Sequence, residues 1–176
     1  MWRRSLAAVL VSLFAASAAR AAVVDAQPNG FEVRQAAEIA APADKVWAAL
    51  ARVGAWWDPA HTWSQESKNL SLDLAPGGCF CETFPGGGGA RHMVVINVLP
   101  GRRAILEGAL GPLSQTGASG HLVWALVEKD GRTTLTQTYF VGGYTPGGFA
   151  AFAPAVDGVL ESQIERLKRY VETGAP

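Results

Sequence analysis

Near Gly148 the hydrophobic period of the sequence changes from two to about 3.6 residues, and this change constrains the fold more than any other feature. Beyond Gly148 one apolar stripe recurs about every 3.6 residues, which is typical of an amphipathic helix, and Gly174 is its stop. Strands joined by short turns pair antiparallel, because parallel pairs need long crossovers. The pattern therefore predicts an α+β fold, with an antiparallel sheet of about six to seven strands and a long C-terminal helix. The strand-like segments are 31–39, 70–74, 79–84, 91–99, 104–107, 120–128 and 133–141.

A second helical pattern follows the first strand. Pro42 is a favourable first helical residue, and the apolar residues after it recur at helical spacing as far as Gly54. The aromatic segment AWWDPAHTWS, residues 55–64, then predicts a turn or a second short helix.

The first 21 residues have the three-part pattern of a secretory signal peptide. Arg3 and Arg4 precede an apolar run from Leu6 to Ala16, and Ala19–Ala21 supplies small residues for cleavage. The run is shorter than the roughly 20 residues that span a bilayer. We therefore predict a signal peptide over 1–21, a single domain over 22–176, and a periplasmic or secreted protein without a stable membrane anchor.

The charge of the mature chain argues against nucleic acid as a partner. The sequence has 15 Lys and Arg against 15 Asp and Glu, and removal of the leader takes away three arginines and no acid. A net charge of about −3 without a basic tract does not suit a phosphate backbone, which is bound by clustered Lys and Arg. A mature chain of about 155 residues can bury a core by itself, and we expect a monomer.

Several stretches resemble the START-like superfamily, also called SRPBCC. They are Ile39–Trp47 (IAAPADKVW), Trp56-Trp57, Pro76–Phe80 (PGGCF) and Val98–Pro100 at the end of a strand. The segment Gly108–Leu113 (GALGPL) and the final apolar stripe resemble the branch related to activators of a heat-shock-protein ATPase and to polyketide cyclases. The resemblance covers nearly all of the mature chain.

This resemblance implies a helix-grip fold, in which a strongly bent sheet wraps around the C-terminal helix and two short helices follow the first strand. Members of the superfamily commonly hold a hydrophobic molecule between sheet and helix. Chaperone activation needs a cytosolic ATPase, so the predicted export argues against that role here.

The two cysteines, Cys79 and Cys81, lie two apart in a strand pattern and so share one face. Regular strand geometry would place their Cα atoms about 6.6 Å apart, near the upper limit for a disulfide, so a bridge needs a local bulge. Only Phe80 separates them, which is too close for the usual zinc spacing, and no partner base marks a nucleophile. We interpret them as small apolar side chains that pack on one face, with a disulfide as the alternative.

Aromatic residues are the first candidates for ligand contact. The resemblance places the tryptophan-rich segment near the mouth of the cavity, and Tyr144 stands in a glycine-flanked loop, 142–148, that could act as a mobile gate. Aromatic side chains also fill cores, which is the competing interpretation for each of them. The aromatic candidates are Trp56, Trp57, Trp63, Phe80, Trp124, Tyr139, Tyr144 and Phe152.

Glu82 and His92 are the polar candidates. Glu82 shares a face with Phe80, and if that face is interior, burial would raise the pKa of the carboxyl group. By alternation His92 shares a face with Val94 and Ile96 on the next strand, where it could lie beside Glu82. The pair could exchange protons with a ligand, or it could be a purely structural hydrogen bond.

The sequence has no nucleophile elbow, His-Glu-x-x-His or phosphate loop. We therefore predict no metal or cofactor. Our first hypothesis is a binding protein for a small hydrophobic molecule. The alternatives are a cyclase- or hydrolase-type enzyme that uses Glu82 and His92, and a protein-interaction module without a cavity, in which the aromatic segment near Trp56 would be exposed as an apolar patch.

Overall fold

The structure is a computed structural model, which describes residues 22–176. An eight-stranded antiparallel sheet packs against the long helix α3, Ala153–Thr173. Two short helices, α1 (Ala43–Leu50) and α2 (Val53–Trp56), follow the second strand. The strands are β1 Ala22–Gln27, β2 Gly30–Ile39, β3 Leu70–Leu72, β4 Cys79–Thr83, β5 Gly89–Leu99, β6 Arg103–Glu107, β7 Gly117–Lys129 and β8 Arg132–Tyr144.

The predicted fold class is confirmed, with one strand more than expected. The strands lie in the order β1-β2-β8-β7-β6-β5-β4-β3, so β1 and β3 form the two edges of the sheet and β2 pairs with the last strand, β8. The extra strand is β1, which pairs with β2 at one edge and is almost entirely exposed, so its sequence carries little apolar alternation. The predicted signal peptide lies outside the described residues. Within residues 22–176 no helix is both long and apolar enough to cross a bilayer.

Helix α3 buries the stripe that its sequence predicts. Leu160, Ile164, Leu167 and Val171 are each at most 5% exposed, and Gly174 ends the helix with a left-handed φ of 86°. Removal of such large apolar side chains from water supplies most of the energy that holds the helix on the sheet.

A buried polar network also joins α3 to the sheet. The Gln137 side chain donates to Gln35 Oε1 at 3.2 Å and to the Leu160 carbonyl at 3.1 Å, and it accepts from Trp124 Nε1 at 2.8 Å. Gln35 in turn donates to Asp157 Oδ1 at 2.6 Å. Because each buried group has a partner, the network sets the helix position without leaving polar atoms unpaired.

Strand β5 departs from regular alternation at two points. Phe80 pairs with Met93, but the next residue, Cys81, pairs with Arg91, so His92 is an extra residue in β5. A second shift lies between Val95 and Asn97. His92 does lie beside Glu82, but the residues predicted to share its inward face are wrong: Met93 and Val95 enter the core, while Ile96 is 44% exposed. Bulges of this kind bend a strand and redirect side chains.

Cys79 and Cys81 form a disulfide, which corrects our interpretation of them as free thiols. Their Cα atoms lie 5.4 Å apart, well inside the range for a bridge, whereas a regular strand would hold them near 6.6 Å. The contraction of β4 lies beside the bulge at His92, so the local irregularity that a bridge requires is present.

We expect replacement of both cysteines by alanine to lower the free energy of unfolding by only about 1–2 kcal/mol, because the loop that the bridge closes is very short. Chemical denaturation of the double variant beside the wild type measures this difference. Mass spectrometry of the denatured, unreduced wild type should show that each thiol has lost its hydrogen. Alkylation of both cysteines under those conditions would contradict the bridge.

Candidate functional site

A cavity of about 440 Å³ lies between the β3–β5 end of the sheet and the first half of α3. Its other walls come from the tryptophan-rich segment after α2 and from the loop between β6 and β7. Nearly all of the lining is apolar, as expected for a site that takes a small organic molecule. The lining consists of Trp57, Ala60, His61, Thr62, Trp63, Leu70, Phe80, His92, Leu110, Gly111, Pro112, Leu113, Phe152, Ala155, Val156, Val159 and Leu160.

Half of the residues that the sequence suggested for ligand contact line this cavity. The rings of Trp57 and Phe80 pack edge to face at 5.4 Å, and Phe80 lies 5.1 Å from His92. Trp63 is 43% exposed and also borders a shallow surface depression, so it lies where the cavity opens to solvent. Phe152 precedes α3 at the opposite wall. Direct ligand contact by these five residues stays a prediction.

The other suggested residues are not part of the lining. Trp56 is buried and donates to the Ala49 carbonyl at 2.8 Å, while Trp124 belongs to the polar network beneath α3. Tyr144 is 74% exposed and does not cap the cavity. Glu82 and Tyr139 lie one layer behind the lining. Since a cavity is present and Trp56 and Trp57 are both buried, the alternative of a module without a cavity, with an exposed apolar patch near Trp56, does not describe this structure.

Glu82 is a buried hydrogen-bond acceptor that holds the mouth segment, the stretch around Trp63 and Ser64, in place. Its Oε1 accepts from the backbone N–H of Ser64 at 2.5 Å, and its Oε2 accepts from the N–H of Trp63 at 3.1 Å. Oε2 also lies 3.0 Å from His92 Nε2. Because both oxygens already receive N–H groups, the carboxylate acts as an acceptor, and the His92 proton must be on Nε2.

The environment favours ionised Glu82 beside neutral His92. Burial by itself would raise the pKa of Glu82, but hydrogen bonds from Ser64, Trp63 and His92 outweigh it and hold that pKa below its usual value. The raised pKa expected for a buried Glu82 is therefore wrong, because backbone donors converge on the carboxylate. Burial lowers the pKa of His92 despite the opposing effect of Glu82.

His61 is a second imidazole in the lining. At His61 the ring nitrogen that has a partner is the acceptor, whereas at His92 it is the donor. Gln163 Oε1 accepts from the Asp58 N–H at 2.8 Å, which orients the Gln163 amide group to donate toward His61 Nδ1 at 3.0 Å. A neutral His61 therefore carries its proton on Nε2 and has a donor left over. Sequence reasoning did not suggest either residue, since their pairing depends on the approach of α3 to a loop 102 residues earlier in the chain.

Tyr139 anchors the loop that forms one wall of the cavity. Its hydroxyl group donates to the Gly108 carbonyl at 3.0 Å and accepts from the Leu110 N–H at 3.0 Å. Burial outweighs the hydrogen bond from Leu110 and raises the pKa of Tyr139 to about 12, so the hydroxyl group stays protonated.

We expect Tyr139→Phe to lower the free energy of unfolding by about 1–2 kcal/mol, because it removes two hydrogen bonds and leaves a backbone donor without its partner. Thermal denaturation measures the change. Tyr144→Phe is the matched control, since Tyr144 is 74% exposed and should change stability little. Equal stabilities of the two variants would contradict an anchoring role for Tyr139.

The loop residues Leu110, Pro112 and Leu113 and the helix residues Ala155 and Val159 also line the cavity, although we did not predict their contact. Ala155 and Val159 lie beside the predicted core stripe. An apolar face of α3 wider than that stripe is the sequence signal that could have identified them. Among residues 22–176 no group of three or more His, Cys, Asp or Glu side chains could hold a metal ion.

Comparisons with known proteins agree with this architecture. The sequence model of the family described as "Polyketide cyclase / dehydrase and lipid transport" matches residues 30–172. The crystal structure of CalU16 from Micromonospora echinospora is similar, with a TM-score of 0.61 and 16% identity over 91% of this chain and 87% of CalU16. DynU16, from the dynemicin biosynthetic locus, has a TM-score of 0.60 and 26% identity over 82% of this chain but only 48% of its own. No curated protein matches the sequence.

Proposed function

Because the chain belongs to the polyketide cyclase/dehydrase and lipid transport family, we propose that it binds a small hydrophobic molecule between the sheet and α3. The observation that carries the proposal is the cavity of about 440 Å³ with its almost wholly apolar lining. We also propose that the protein acts as a monomer in the periplasm or outside the cell. The leader pattern and the Cys79–Cys81 disulfide support export, since disulfides persist in oxidising compartments.

The test is native mass spectrometry of the mature protein purified from its own host, repeated after denaturation. We expect a co-purifying small molecule that leaves on unfolding. Val159→Trp places a large side chain in the cavity and should abolish this added mass. Val127→Trp is the matched control, because Val127 is 67% exposed on β7. An empty wild type that also binds no small aromatic molecule in solution would contradict the proposal.

A cyclase- or hydrolase-type enzyme is the second candidate. The observation in its favour is the hydrogen bond of 3.0 Å between Glu82 and His92, which fixes the proton on Nε2 and leaves Nδ1 basic at the cavity wall. In this scheme His92 Nδ1 would take a proton from the substrate, and Glu82 would stabilise the imidazolium that forms.

Analysis of the bound molecule separates the two candidates. A binding protein and its His92→Gln variant should carry the same molecule from the host, in amounts that follow their affinities. An enzyme should release its product, whereas the variant should retain a chemically different molecule, the substrate. Identical bound molecules in both proteins would reject the enzymatic candidate.

A further inference from the structure

The strongest unassigned polar feature of the cavity is the second nitrogen of His92. The His92 side chain is only 8% exposed, its ring lines the cavity, and its Nε2 is occupied by Glu82. Nδ1 has no hydrogen-bond partner within residues 22–176. Among residues 22–176 the one fully buried side-chain N or O atom without a partner is Arg103 Nε, so His92 Nδ1 is not sealed within the protein and remains accessible.

The tautomer of His92 determines what this nitrogen can bind. Glu82 already accepts N–H groups from Trp63 and Ser64, so it acts as a carboxylate and takes the His92 proton on Nε2. A neutral imidazole has only one such proton. Nδ1 is therefore a hydrogen-bond acceptor that can receive a donor from a ligand.

Each of the other polar side chains in the described lining either has a hydrogen-bond partner or lies nearer solvent. Trp57 Nε1 donates to the His61 carbonyl at 3.1 Å, and Thr62 Oγ1 donates to the Pro59 carbonyl at 2.8 Å. His61 and Trp63 lie nearer solvent, with side-chain exposure of 35% for His61 and residue exposure of 43% for Trp63. His92 Nδ1 is thus an accessible acceptor without a partner in the described lining, on a side chain that is only 8% exposed.

The backbone gives independent support for this orientation. His92 is the extra residue of the β4–β5 bulge, and regular alternation would not place it beside Met93 on the interior side. The bulge therefore interrupts the β4–β5 hydrogen-bond ladder at His92, whose ring lies against Phe80 and Glu82.

We propose that the cavity is selective for apolar molecules that carry a hydroxyl group, and that this hydroxyl group donates its hydrogen bond to His92 Nδ1. The inference rests on the proposed function, since it names the chemistry of the molecule that the cavity would bind. Apolar walls supply affinity, while the single acceptor orients the molecule and discriminates against analogues without a donor.

The test compares two probes, 1-naphthol and 1-methoxynaphthalene, by isothermal titration calorimetry of the mature protein. The methyl ether is the more apolar probe, so hydrophobic burial alone would favour it. We expect the wild type to prefer 1-naphthol about fivefold to tenfold, and His92→Phe to lose this preference while still binding the ether. Val159→Trp should weaken binding of both probes together.

Different results overturn different claims. If the wild type binds both probes equally, or if His92→Phe keeps the preference, the hydroxyl-binding inference fails while the cavity-binding function stands. If neither probe binds, the hydroxyl-binding inference fails, and the cavity-binding function fails with it only when native mass spectrometry also finds the wild type empty. Nitrogen-15 NMR of His92 in the wild type avoids dependence on the folding of a variant. Nδ1 should have the shift of an unprotonated nitrogen and should respond to 1-naphthol but not to the ether; a protonated Nδ1 would overturn the inference.

Discussion

Glu82→Leu is expected to lower the free energy of unfolding by about 3–5 kcal/mol, although leucine suits an apolar interior. The substitution leaves the N–H groups of Trp63 and Ser64 and the Nε2–H group of His92 without their acceptor. Buried donors that lose their partners incur their full desolvation cost. Urea denaturation measures the change, and Glu107→Leu, at an exposed position on β6, is the matched control. A loss for Glu82→Leu no larger than that for the control would reject the role of Glu82 as anchor.

The same carboxylate predicts a pH dependence. The pKa of Glu82 is lower in the folded protein than its usual value of 4.5. Its stabilising contribution is therefore complete above about pH 4.5 and is lost as the pH falls through the folded-state pKa. Stability measured between about pH 5 and pH 3 should fall more steeply for the wild type than for Glu82→Leu. Parallel curves would show that the pKa of Glu82 is not lowered by folding.

Trp124→Ala is expected to lower the free energy of unfolding by about 3–5 kcal/mol, because Trp124 is fully buried and its loss leaves a large void. The substitution also removes the donor to Gln137 Oε1 within the network beneath α3. Trp63→Ala is the matched control, since Trp63 is 43% exposed at the cavity mouth and should change stability by less than about 1 kcal/mol.

For the binding of a probe we expect the opposite order of effects, with Trp63 more important than Trp124. Trp63→Ala should weaken the binding of 1-naphthol, because Trp63 lines the cavity, whereas Trp124→Phe should leave it nearly unchanged, because Trp124 does not. Calorimetry at a temperature where both variants are folded makes the comparison. Loss of binding in Trp124→Phe with unchanged stability would restore the sequence-based interpretation of Trp124 as a ligand residue.

The periodic parts of the sequence were sufficient for the fold class. Apolar and polar residues alternate along most of β7 and β8, and the 3.6-residue stripe continues along most of α3. Burial of one face of each element therefore follows from the local pattern. Strand β1 was missed because nearly all of its residues are exposed and its pairing with β2 depends on backbone hydrogen bonds.

The aromatic candidates were separated only by three-dimensional packing. Trp56 and Trp57 are adjacent in sequence, yet Trp56 turns into the core and Trp57 lines the cavity. Aromatic character indicates burial but cannot distinguish a core position from a cavity wall, because both remove the ring from water.

The sequence by itself determined the order of the strands and helices after β1 and the apolar face of α3, since these depend on neighbours within a few residues. It also placed Glu82 and His92 on adjacent strands. The tertiary structure decided the Cys79–Cys81 bridge, the extra residue at His92 and the ionised state of Glu82. Each depends on backbone register or on N–H groups from the mouth segment, 18 to 19 residues earlier in the chain. The proton on His92 Nε2, and with it the free acceptor in the cavity, follows from those distant contacts and not from the identity of the residue.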